Sequence, residues 1–317
     1  MNEVLRALWR ILPPINAETI SGGRIMNNLQ KTGGALAVLL LVLSFLNCRS
    51  VATPQAEPEK PVILVVSFGT SYNESRQKTI GAIEDAIARA YPAYSVRRAF
   101  TSQIVIDHIY QRDGEKIDNV TEALNRLVAE GAQDLIVQPT HLMQGIEQKE
   151  MLSQVQPFES KFRSIKYGKP VLASEADYTA LVSILREETN TYAGPDTAIV
   201  FMGHGTEAAS NADYTKLAAL FKEQGLSNYF IGTVEASPSL DDVIVQLREA
   251  GLEKLTLLPL MIVAGDHANN DMAGDEEDSW KSILTAEGFS VQTVLRGLGE
   301  YPELQAHIVQ HVADAMR

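Results

Sequence analysis

Three side chains able to hold a metal ion, His204, Glu235 and His267, each stand just past an apolar run that reads as a β-strand. His204 lies in Met-Gly-His-Gly-Thr at the end of AIVFM, Glu235 follows FIGTV, and His267 lies in Ala-Gly-Asp-His-Ala-Asn-Asn-Asp beyond LTLLPLMIVAG. Successive parallel strands deliver such residues to one edge, because ligands of open α/β sheets bind beyond the carboxyl ends of the strands. Two imidazoles and one carboxylate suit a borderline divalent ion such as Co2+, Fe2+, Ni2+ or Zn2+. The glycines flanking His204 permit a sharp turn and the close approach of a large ligand. A lone histidine is usually only a hydrogen-bonded, half-buried polar residue, but ionisable groups converging in a cleft mark a functional site. Cys48 is the only cysteine, so the body of the chain offers no disulfide and no thiolate ligand.

The remaining histidines carry less. His307 and His311 are four residues apart in ELQAHIVQHVADAM, a spacing that can bind metal but reads more simply as the end of an amphipathic helix. His108, in IVIDHIYQRDG, is expected on a helix surface, and His141, in PTHLMQG, stands in a strand-end loop from which it can reach the cleft. The acidic run 269–278 carries five carboxylates and is expected to open the following helix, SWKSILTAEG.

The elements that position these residues follow from hydrophobic periodicity. From Pro61 onward short β-rich runs alternate with longer helical patterns, the order of an α/β protein with mainly parallel strands. VILVVSF, SVRRAF, DLIVQPT and KPVLAS are the strand candidates of the first half. TAIVFMGHGT, YFIGTVEAS, KLTLLPLMIVAGD and SVQTVLRGLGE repeat the plan in the second. Ser67-Phe68-Gly69-Thr70 matches Gly203-His204-Gly205-Thr206, AFTS at 99–102 matches VEAS at 234–237, and PTHLMQG matches PLMIVAG. These ordered matches predict an internal duplication: two similar lobes, 61–193 and 194–317, each a mainly parallel sheet flanked by helices, with a cleft between them.

The segment 35–46, ALAVLLLVLSFL, is too short to span a bilayer as a helix but suits the core of a signal peptide. The small-x-small pattern Ser50-Val51-Ala52 follows, then a Pro/Glu-rich spacer at 53–60. Residues 1–52 therefore read as a signal peptide, with Met26 as an alternative start, and the mature protein as periplasmic with no stable membrane span. A net charge of -13 opposes phosphate attraction and argues against a nucleic-acid partner.

The segments VVSFGTSY, RAFTS, QRDG, FMGHG, VEAS, LPLMIVAGDHANNDMAGDEEDSW and GLGE together resemble the anaerobic sirohydrochlorin cobaltochelatase family, class II chelatases related to ferrochelatase. The resemblance runs from Pro61 to the C-terminus. It implies insertion of a divalent metal, Co2+ or Fe2+, into a tetrapyrrole, with the metal held by His204, Glu235 and His267. His204 is the expected proton acceptor and His267 its catalytic partner. Glu147, in QGIE, falls on the family's acidic residue at the cleft mouth, and Ile262 on the stretch facing the macrocycle. Ser67, Phe68 and Thr70 are the expected substrate contacts of the first lobe. The resemblance leaves room for bound haem and for a homo-oligomer. No Walker-type phosphate loop is present, so the expected metalation uses no ATP. Two other readings compete: a periplasmic tetrapyrrole or metal carrier on the same fold, and a metallohydrolase activating water.

Overall fold

VILVVS, Val62–Ser67, is buried at every position and forms β1 at the centre of a parallel sheet covered on both faces, which is why it reads as a continuous apolar run rather than an alternating one. In this computed structural model residues 60–317 are described, apart from Pro195; the apolar run 35–46 and the cleavage pattern lie outside them. The first half runs β1, α1 (Ala82–Ala90), β2 (Ser95–Phe100), α2 (Gln103–Asp113), α3 (Val120–Glu130), β3 (Asp134–Pro139), α4 (Ile146–Val155), β4 (Ser164–Tyr167) and α5 (Glu175–Thr189). The second runs β5 (Thr197–Gly203), α6 (Ala212–Glu223), β6 (Tyr229–Thr233), α7 (Leu240–Ala250), β7 (Lys254–Pro259), α8 (Trp280–Ala286), β8 (Ser290–Thr293) and α9 (Pro302–Met316). The helices begin and end where side chains and glycines satisfy free backbone groups. Asn119 and Ser239 form capping boxes with Glu122 and Asp242, and Gly131 and Gly251 close α3 and α7 in the left-handed conformation.

Both sheets are wholly parallel and share one strand order, β2-β1-β3-β4 and β6-β5-β7-β8, as an internal duplication requires. The register sets the equivalences. Ser67 pairs with Phe100 and Gly203 with Thr233, while Pro139 faces Val66 and Pro259 faces Met202. The first and third sequence matches therefore fall on equivalent positions, but the second is two residues out. Thr101 and Ser102, not Ala99 and Phe100, correspond to Val234 and Glu235, because their amides donate to Ser67 and Phe68 just as those of Val234 and Glu235 donate to Gly203 and His204.

KPVLAS, expected as a strand, is not one; the fourth strand is the preceding SIKY. SIKY is an edge strand with no fully buried residue, so it lacks the apolar signature of its neighbours, whereas Val171 and Leu172 are apolar because they fill the core. That core contains Ile63 and Val65 of the first sheet, Ile199 and Phe201 of the second, and residues of both α5 and α9.

The last helix of each half crosses to the other. α5 packs on α6, where the Tyr178 hydroxyl donates to Asp213 at 2.7 Å, and the Thr189 hydroxyl meets that of Tyr229 at 2.8 Å. α9 packs on α1, β3 and β4, with the Tyr91 hydroxyl donating to the Val309 carbonyl at 3.1 Å. His307 and His311 consequently stand on the inward face of this amphipathic helix. Among the described residues, no helix is long and apolar enough to cross a membrane.

Candidate metal centre

His204 and Glu235 are held side by side because the β5–β6 ladder continues two residues past the strand ends. The Val234 amide donates to the Gly203 carbonyl at 3.0 Å and the Glu235 amide to the His204 carbonyl at 2.9 Å. The two glycines serve different needs. Gly205 has φ +87°, and a Cβ there would lie 2.8 Å from the Ala236 nitrogen. A Cβ on Gly203 would lie 2.3 Å from the ring of Tyr214, so the space expected for an approaching ligand is filled at that position by the protein's own phenol. The Tyr214 hydroxyl accepts from the Gly205 amide, and burial holds this phenol above its ordinary pKa, so it remains a neutral hydrogen-bonding group under the loop.

His267 is not in a strand-end loop. It stands in the first turn of a helical segment that continues through a π turn, Ala268–Met272, and its Nδ1 is 2.6 Å from Oδ2 of Asp271. A carboxylate at Nδ1 fixes the ring and its tautomer and leaves Nε2 as the donor, as in carboxylate–histidine–metal arrangements. Asp271 was legible only as part of an acidic run. The His-x-x-x-Asp spacing, one helical turn, is the signal that could have singled it out. The run leads directly into α8: Ser279 caps that helix, whose own first turn holds no acid, and Asp275 pairs with Lys281.

The imidazoles of His204 and His267 are 4.7 Å apart between ring centroids and nearly perpendicular, at 87°. Nδ1 of His204 lies 2.8 Å from the Gly205 carbonyl and 3.6 Å from Oε2 of Glu235. One donor atom from each of His204, Glu235 and His267 lies within 4.8 Å of the other two, a spacing a single ion can bridge after small side-chain adjustment. The side chains are 47%, 55% and 32% exposed, so an ion held here faces solvent on one side and can pass to a large ligand.

The first half faces this edge. Gly145 approaches the Ser210 hydroxyl, Thr70 packs on Gly265, and the Tyr72 phenol sits beside Asp266 and Asn270. Duplication places Phe68, Ser102 and Glu147 where the second half has His204, Glu235 and His267, Glu147 and His267 each being two residues beyond the equivalent Gly145 and Gly265. Phe68 is 47% exposed, and Glu147 is exposed in the first turn of α4. Ile262 is half-buried against the shared core, and its carbonyl accepts from the Gly299 amide. Ser67 and Thr70 are placed elsewhere: both are buried, and the Ser67 hydroxyl accepts from Thr140 at 2.8 Å. They shape the β1 turn from beneath instead of offering a surface. His141 is also buried, with Nδ1 against Gln148, so it does not line the cleft; His108 is exposed on α2.

Residues 61–317 match the family model described as cobalt chelatase (CbiK). The sirohydrochlorin cobaltochelatase of Salmonella typhimurium is 39% identical over 257 residues, covering 81% of this chain and 97% of that protein. The sirohydrochlorin cobaltochelatase CbiKC of Nitratidesulfovibrio vulgaris is 33% identical over 244 residues, covering 76% of this chain and 86% of that one. Among solved structures, SirB from Bacillus subtilis with Fe3+ superposes with a TM-score of 0.58 at 17% identity over 81% of this chain and 96% of that chain, a likeness of fold.

Proposed function

Because this chain belongs to the cobalt chelatase (CbiK) family, we propose that it is a sirohydrochlorin cobaltochelatase that inserts Co2+ into the macrocycle at the His204, Glu235 and His267 centre. The observation that carries the reading is the convergence of these three donors at one open strand edge. Metalation needs no redox step and no nucleotide. The ion must leave protein donors for four ring nitrogens, and two pyrrole protons must be removed. Three protein donors with an exposed face leave the ion labile, unlike a closed four-ligand structural site. Imidazole can accept a proton near neutral pH, and His204, flanked by the Glu235 carboxylate, is assigned as the acceptor. Phe68 presents an exposed aromatic face on the opposite half, suited to stacking on the tetrapyrrole, and Glu147 supplies a carboxylate at the cleft mouth. Fe2+ is a second substrate ion compatible with the same donors.

Multiple turnovers separate this enzyme from a carrier of the same fold. The chain should metalate an excess of sirohydrochlorin with Co2+, followed by the change in the macrocycle's visible absorption. His204→Ala and His267→Ala should each lower the rate by more than the roughly 10–100-fold typical of losing an outer-shell partner, with His108→Ala unaffected. Metalation that stops at one equivalent, or that survives loss of both histidines, would defeat the proposal. Export to the periplasm is proposed from the apolar run 35–46 and the Ser50-Val51-Ala52 pattern. Amino-terminal sequencing of the native protein should then begin between Val51 and Thr53, and an intact Met1 would exclude it.

A further inference from the structure

His307 and His311 lie one turn apart on α9 and point at Asp177 in the first turn of α5. Their side chains are 14%, 4% and 10% exposed respectively, so this is an interior cluster at the place where the two exchanged helices meet. Nε2 of His311 is 3.2 Å, and Nε2 of His307 is 3.4 Å, from the same oxygen, Oδ1 of Asp177. The ring centroids are 4.5 Å apart, and one donor atom of each residue lies within 4.8 Å of the other two.

The outward edges of the cluster are already occupied. Nδ1 of His311 lies 3.1 Å from the Lys169 carbonyl, and Oδ2 of Asp177 accepts from the Ala173 amide at 3.1 Å and the Ser174 hydroxyl at 2.8 Å. A neutral imidazole has one N–H and one lone pair. Both nitrogens of His311 face oxygens that can only accept, so a neutral ring would aim its lone pair at an acceptor. A cation is needed between His311 and Asp177, and it is either a second proton or a metal ion.

The geometry accommodates the ion as well as the proton. In a tetrahedral site with bonds of about 2.0–2.1 Å, neighbouring donors stand about 3.3–3.4 Å apart, close to the 3.2 and 3.4 Å found here. The carbonyl behind His311 and the two donors behind Asp177 are the supports that orient metal ligands. We propose that Asp177, His307 and His311 form a second divalent-metal site, of zinc or cobalt class, that clamps α9 to α5 where the halves of the chain exchange helices. Two imidazoles and a carboxylate select a borderline ion, and the half-buried edge at His307 leaves the fourth position to water. On binding, His307 Nε2 exchanges its 3.1 Å contact with the Val171 carbonyl for the ion.

The test uses the untagged full chain carrying His204→Ala and His267→Ala, which isolates the cluster from the proposed chelatase centre. After dialysis against a chelator, Co2+ or Zn2+ is added. Bound metal is measured by elemental analysis, Co2+ geometry by visible absorption, and stability by thermal melting. The expected result is one ion per chain, an intense four-coordinate Co2+ spectrum and a melting point raised by either ion. Adding His307→Gln, which leaves the Asp177–His311 contact in place, should weaken binding by more than the roughly 10–100-fold typical of losing an outer-shell partner and abolish the rise. The proposal is overturned if the starting variant retains no ion and shows no shift in melting, the cation then being a proton on His311, or if His307→Gln binds with unchanged affinity. Neither result depends on whether the unmodified chain metalates sirohydrochlorin.

Discussion

Asp271 touches no substrate in the proposed reaction, yet its replacement should impair metalation measurably, though less than loss of a ligand. Its Oδ2 lies 2.6 Å from Nδ1 of His267, one helical turn away, and that bond leaves Nε2 as the ring nitrogen open to a metal. Without it the imidazole is free to rotate, and its donor is correctly aimed for only part of the time. Outer-shell partners of this kind are worth about 10–100-fold in metal affinity or activity, or about 1.4–2.7 kcal/mol. The same pair contributes little to folding, because both side chains are substantially exposed, at 32% and 43%, and exposed ion pairs contribute about 0–1 kcal/mol. Asp271→Ala should therefore raise the KM for Co2+ and lower kcat/KM by about 10–100-fold, while the urea midpoint barely moves. Asp271→Asn, which keeps an acceptor oxygen but no charge, should fall between the two. Steady-state metalation at varied Co2+ with fixed sirohydrochlorin reads this directly. A wild-type KM for Co2+ in Asp271→Ala would refute the reasoning, as would a loss of activity fully matched by a loss of stability.

Three further outcomes follow from the same geometry. Gly205→Ala places a Cβ 2.8 Å from the Ala236 nitrogen, about 0.6 Å inside the 3.4 Å at which ordinary contact begins, and adds about 1–2 kcal/mol of left-handed strain. It should lower both the melting point and, through displacement of His204 from Glu235, the metalation rate. Phe221 is fully buried and packs on Phe201 and Tyr229 at centroid distances of 5.9 and 5.4 Å. Phe221→Ala should cost about 3–5 kcal/mol in urea unfolding with little change in rate per folded molecule. His141 is held below the ordinary histidine pKa of 6.5, first by burial, with Glu147 and Gln148 opposing. A depressed folded-state value means the unfolded chain takes up the proton first, so this stability is present above about pH 6.5 and is lost as pH falls below it. Urea midpoints at pH 7.5 and 5.5 should differ less in His141→Gln than in the parent, and equal differences would remove His141 as the cause.

The sequence alone determined the α/β class, the duplicated plan and the identity of the three candidate ligands. Buried parallel strands must be continuous apolar runs, and a ligand at a strand's carboxyl end sits beside a recognisable run and a glycine. What lacked such a signal was decided by tertiary structure. The edge strand SIKY has no buried face to write into its residues, so the apolar KPVLAS beside it carries the stronger strand pattern. The two-residue offset between AFTS and VEAS is set by backbone hydrogen bonds, to which similar side chains are blind. Ser67 ends β1 and Phe68 and Thr70 follow it, but only the direction of each side chain separates a buried hydroxyl from an exposed ring. Asp271 and Asp177 gain their roles from partners that the fold supplies, one helical turn away for Asp271 and 134 residues along the chain for the Asp177–His311 pair. Local pattern records what a residue needs from its own strand or helix. Helix exchange between the halves joins residues distant in sequence, and no periodicity along the chain encodes that meeting.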